Sequence, residues 1–60
     1  MLEWLNKPAK IVICIDGVNL YYTAKLITEI SGSHISFIDK FDKHYTYSLK
    51  HLVSINESDK

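Results

Sequence analysis

Residues 11–15, Ile-Val-Ile-Cys-Ile, followed at once by Asp16 and Gly17, constrain this chain more than any other stretch. Consecutive apolar side chains, mostly β-branched and without alternation, read as a strand over 10–16 buried on both faces, as at the centre of a parallel sheet. Such a strand needs a neighbour on each edge and a covering layer on each face. Past Gly17 the apolar spacing approaches a period of 3.6. Leu20, Ala24, Ile27 and Ser31 form one line, and Val18, Tyr22, Leu26 and Ile30 an adjacent one. This predicts a helix over 18–31, stopped by Ser31-Gly32-Ser33.

Ser36, with Asp39 three residues later, carries an N-cap signal with an acid in the first turn. Ile38, Phe41, Tyr45, Leu49 and Leu52 continue at helical steps and predict a second helix over 37–50. Residues 52–55 read either as its last turn or as a short strand returning parallel to the first through a right-handed crossover. Pro8 closes a leader over 1–8, residues 9–55 form the folded part, and 56–60 are expected to be a polar, frayed tail. The expected class is α/β, in the order strand, helix, helix and a doubtful strand.

Seven Lys, no Arg and seven acidic residues leave the 60-residue chain with no net charge. Without an arginine fork or a basic excess, a basic nucleic-acid module is disfavoured. The longest apolar run, Ile11 to Ile15, falls far short of the roughly 20 residues that span a bilayer, and no secretory signal pattern is seen. No membrane partner is expected. Cytoplasmic residence is, with Cys14 as a buried thiol that can form no internal disulfide. A chain this short buries only about 60% of its open surface on folding. Two helices and one doubtful strand cannot cover Ile11 to Ile15. The expectation is therefore a truncated domain, or one that completes its sheet with a partner chain or a second copy, and that is molten or self-associating alone.

Asp16 lies where open α/β sheets bind ligands, at the carboxyl end of a buried strand. Gly17 clears space beside it, and Asn19, at the expected helix entrance, offers an amide to orient a carboxylate, water or phosphate. A carboxylate beside helix N–H donors is half of a Mg²⁺ site. The structural alternative stays open: Asp-Gly after a strand is also a turn, and an Asn near a helix start is also a cap.

The string Ile-Asp-Gly-Val-Asn-Leu-Tyr-Tyr over 15–22, behind a hydrophobic strand, resembles the opening motif of NYN domains, in the PIN-like nuclease superfamily. The resemblance covers residues 11–27 and is compatible with the chain onward to about 55. It implies the N-terminal part of a PIN-like, Rossmannoid parallel-sheet domain that acts on RNA. It also implies Mg²⁺ or Mn²⁺ held by Asp16, with Asp16 as the catalytic carboxylate and Asn19 supporting the substrate side. NYN domains are over twice this length and bring further acids from later strands. Asp39, Asp42, Glu57 and Asp59 do not supply them at recognisable positions. The expected function is thus a fragment of an RNA-directed nuclease, inactive alone, and the alternative is a non-catalytic interaction module whose exposed strand pairs with a partner's sheet.

The remaining candidates read as structural. His44 and His51, seven apart, would be separated by about 10.5 Å on a helix, too far to share an ion. His34 has no partner spacing. Tyr21, Tyr22, Tyr45 and Tyr47 could stack on bases, but core packing with wet hydroxyls is the plainer reading. Lys7, Lys10, Lys40, Lys43 and Lys50 read as solvated surface balanced by acids.

Overall fold

A computed structural model describes residues 2–58. The α/β expectation is overturned: the fold is one antiparallel sheet of five strands, with no α-helix among the described residues. The strands are β1 (Ala9–Ile15), β2 (Val18–Ile30), β3 (His34–Asp39), β4 (His44–Ser48) and β5 (Leu52–Glu57). Short 3-10 turns occupy Leu2–Trp4 and Leu49–His51. The sheet order is β4-β3-β2-β1-β5, so four strands meander and the fifth returns beside the first. No helix among the described residues is long and apolar enough to cross a membrane.

The predicted helix over 18–31 is β2, and the reason lies at the Asp-Gly pair. Asp16 and Gly17 both take positive φ, 53° and 78°, and Ile15 pairs with Val18. This is the two-residue hairpin turn whose twist matches that of paired strands, and Asp-Gly is among its preferred sequences. Behind it Val18, Leu20, Tyr22 and Ala24 alternate with Asn19, Tyr21 and Thr23, a strand pattern rich in aromatic and β-branched residues. The predicted helix over 37–50 divides into the end of β3, a turn, β4 and the second 3-10 turn. Tyr45 and Tyr47 alternate with His44, Thr46 and Ser48 along β4. Ser36 caps nothing; its hydroxyl meets that of Thr46 at 2.9 Å across the β3–β4 ladder. Residues 52–55 do lie in a strand, but β5 runs antiparallel to β1, and Asn56 and Glu57 extend it opposite Lys10 and Ala9.

Burial along β1 alternates, with Ala9, Ile11 and Ile13 inside and Lys10 outside, so the strand is not sealed on both faces as expected. Cover for the inner face comes from the sheet itself. β2 pairs with β1 over Val18–Ala24 and with β3 over Ala24–Ile30, and its register with β3 slips between Ala24 and Leu26 and again between Ile27 and Glu29. Such bulges bend a strand and raise its twist, letting one strand serve two half-sheets. Ile11, Ile13, Ala24, Ile27 and Ile35 have no exposed surface, and Phe37 is 1% exposed. In a chain with a single sheet, that burial requires the half-sheets to face one another. Each of the larger side chains contributes about 1.5–3 kcal/mol by leaving water. Trp4, Tyr22, Tyr45, Tyr47, Leu52 and Ile55 close the rim of this core. The segment read as a leader joins in: Asn6 N–H donates to the Ile27 carbonyl at 2.8 Å, and Ile27 N–H to that of Lys7 at 3.1 Å.

Candidate functional site

Asp16 and Asn19 sit at an exposed hairpin end rather than at a strand-to-helix crevice. Asp16 occupies the left-handed turn position, and Asn19 lies in β2 opposite Cys14. No helix N-terminus stands behind them, so the N–H donors expected there for an anion do not exist. One carboxylate and one amide fall short of the several ligands that fix Mg²⁺. Among the described residues no group of three or more His, Cys, Asp or Glu is gathered as an ion would need. Asp39 and Asp42 are engaged in or beside the β3–β4 turn, Glu57 ends β5, and Asp59 lies outside the described residues.

The structure instead draws attention to β2 at its unshared half. A two-residue hairpin closed by Ile15 and Val18 makes Val18, Leu20 and Tyr22 the residues that bond to β1. The alternate residues Asn19, Tyr21 and Thr23 then direct N–H and C=O away from β1. Thr23 verifies the phase: its carbonyl accepts from Lys40 N–H at 3.0 Å, where β3 leaves β2. Over Val18–Tyr22 no strand pairs with that side among the described residues. This stretch holds neither Lys nor Pro, the residues with which natural edges discourage pairing.

An open depression of about 540 Å³ lies beside this edge, lined by Tyr21, Tyr22, Thr23 and Tyr45 and by Asp39, Lys40, Phe41 and Lys43 of the β3–β4 turn. A smaller one of about 280 Å³, which includes Lys10 and Val12, shares Tyr21, Tyr22 and Thr23 with it. Tyr21 and Phe41 are 74% and 71% exposed, unusual for large rings in a chain whose other aromatics pack on its core. Lys40 Nζ lies 5.4 Å from the centre of the Phe41 ring.

The turn that presents Lys40, Phe41 and Lys43 is organised by Asp39, which is 6% exposed. Its Oδ1 accepts from Phe41 N–H at 2.8 Å and from Lys43 N–H at 2.9 Å. Its backbone N–H donates to the Lys43 carbonyl at 2.9 Å, its carbonyl accepts from Asp42 N–H at 3.0 Å, and Asp42 takes φ 66°. A turn followed by a left-handed residue is a common three-residue hairpin connection, and Asp at both positions suits it. Lys25 pairs with Asp42 at the surface.

Beneath the depression the aromatic rings form a platform. The Tyr22 ring lies 4.7 Å from that of Tyr45 and 5.3 Å from Phe37, and its hydroxyl bonds that of Tyr47. Burial and this hydrogen bond push the Tyr22 phenol up to about 12. Three of the four tyrosines thus pack on the core, while Tyr21 stands clear of it. At the opposite end of β2, His34 Nδ1 lies 3.1 Å from Ser31 Oγ and 3.2 Å from Ser33 Oγ, and its Nε2 is 3.5 Å from Glu29. Hydroxyl, imidazole and carboxylate thus share one loop, but Ser31 Oγ also takes Ser33 and His34 N–H, which makes this the closure of a turn.

On sequence reasoning Tyr21 is only one of four tyrosines, Lys40 and Lys43 belong to solvated surface, and Phe41 falls on a helix. The signal that could have found them is the Asp39-to-Lys43 turn between two alternating runs. No family model, curated protein or solved structure matches the chain.

Proposed function

We propose that this chain is a non-catalytic interaction module that takes an extended segment of a partner onto the free edge of β2 at Val18–Tyr22. The observation that carries this reading is the handover at Ala24. β3 pairs with β2 only from there onward, leaving the outward N–H and C=O of Asn19 and Tyr21 beside an aromatic depression. A strand laid there would continue the line of β3, gain main-chain hydrogen bonds and rest on Tyr21 and Phe41. RNA cleavage rested on Asp16 facing a strand-to-helix crevice. A hairpin turn occupies that position, and the crevice that reading needs does not form there.

The test is residue-resolved NMR of the ¹⁵N-labelled chain titrated with a capped, uncharged peptide of alternating Thr and Gln. About nine residues suffice to run the edge at about 3.3 Å per residue. Asn19 and Tyr21 amides should shift, with Leu20 and Tyr22 less affected. Asn19→Pro removes an outward donor while sparing the bonds to β1, a substitution that edge strands tolerate. It should fold and lose the response. Shifts confined to β4 or β5, or an undiminished response in Asn19→Pro, would overturn the reading.

A further inference from the structure

From the charges around this edge we infer that the segment it takes is an acidic extended peptide. The inference rests on the edge-binding reading above. The chain is neutral as a whole, so a local excess of one sign reflects placement rather than composition. Lys40 and Lys43 border the main depression, and Lys10 borders the adjoining one. The nearby acids are occupied. Asp39 is buried and accepts two backbone N–H groups, and Asp42 pairs with Lys25. Against Lys10, Lys40 and Lys43 the two depressions set a single unpaired acid, the buried Asp39 carboxylate, so the opening keeps a net positive charge, and Tyr21 and Phe41 line it as exposed apolar contacts.

A single-stranded nucleic acid would also find cations and rings here. The backbone edge separates the two ligands. Asn19 and Tyr21 each present a donor and an acceptor outward. Phosphate oxygens only accept, and the hydroxyl donors of a ribose chain do not repeat at the spacing of strand carbonyls, whereas a peptide strand meets both the donors and the acceptors in register. Glu or Asp on the outward side of such a strand would meet the lysines, and alternation in the peptide lets either register present them.

The experiment uses three capped peptides of equal length, alternating Thr with Glu, Gln or Lys, together with an oligouridylate, each titrated by NMR at low salt. The Thr-Glu peptide should bind at the Asn19 and Tyr21 amides about fivefold to tenfold more tightly than Thr-Gln, the gain of two or three exposed ion pairs. Thr-Lys should be weaker than Thr-Gln. The preference should shrink as salt rises. It should also shrink in the Lys40→Gln, Lys43→Gln double variant, whose altered side chains are exposed. Equal binding of Thr-Glu and Thr-Gln at the edge would overturn the acidic preference while leaving the edge reading in place. Silence of Asn19 and Tyr21 with every peptide would overturn both. Stronger perturbation of the same amides by oligouridylate than by Thr-Glu would overturn the peptide assignment in favour of a nucleic acid.

Discussion

Replacing Asp39 by Ala should cost more stability than any other single change in the β3–β4 turn. The side chain is almost wholly buried, and one oxygen accepts two amide donors at 2.8 and 2.9 Å. Hydrogen bonds to a charged group contribute about 1.5–3 kcal/mol each. Phe41 and Lys43 are exposed residues, so water can reach their freed N–H groups, and the lower end applies. Two bonds then come to about 3 kcal/mol, set against a total stability of about 3–9 kcal/mol for a chain this short. At about 4–8 °C per kcal/mol, Tm should fall by about 12–24 °C. Asp39→Asn keeps the acceptor but not its charge, and should lose about half as much. Thermal and urea unfolding followed by far-ultraviolet circular dichroism measure both. An Asp39→Ala variant within about 0.5 kcal/mol of wild type, the range of an ordinary surface change, would refute the assignment of Asp39 as the organiser of this turn.

Gly17→Ala should cost about 1–2 kcal/mol in the same unfolding assay. The added Cβ would meet nothing within 4 Å, so the penalty is that of φ +78° alone, and Gly17→Asn should recover part of it. Phe37→Ala removes the largest fully buried side chain, and its loss of about 3–5 kcal/mol should leave much of the population unfolded at 25 °C by circular dichroism. Because the fold holds the Tyr22 phenol neutral up to about 12 against an ordinary value of 10.0, its contribution is intact below pH 10 and disappears as pH rises towards 12. Urea midpoints at pH 9, 10 and 11 should therefore fall more steeply for wild type than for Tyr22→Phe.

The strand at Ile11–Ile15 and its end at Asp16-Gly17 were legible because bulky β-branched residues stop at a turn pair. The strand beyond that pair was not, and the cause is the bulging of β2. Val18, Leu20, Tyr22 and Ala24 keep a period of two. The slips after Ala24 and Ile27 then move the inward positions to Ile27 and Ile30, and the complete set also fits one broad helix face. Periodicity summed over the whole stretch hides the change of phase. Over 34–48 the alternation of Ile35 with Phe37 and of Tyr45 with Tyr47 was present, but steps of three and four among Ile38, Phe41 and Tyr45 competed with it. The edge and depression were illegible for another reason. Tyr21 and Phe41 are 20 positions apart, and only the departure of β3 from β2 at Ala24 brings them to one opening. The NYN-like string shows the same limit: its Asp-Gly suits a hairpin turn as well as a strand-to-helix turn, and the residues after it decide between them.

Amide hydrogen exchange of the free chain, resolved by residue across 18–23, is the most direct test of the open β2 edge. Leu20 and Tyr22, bonded to β1, should exchange slowly, and Asn19 and Tyr21, directed outward, should exchange quickly. A helix over this stretch would protect consecutive amides from about residue 22 onward, and an edge already covered would protect Asn19 and Tyr21 as well. Alternating protection is the expected result; protection without alternation would contradict the open β2 edge on which the site rests.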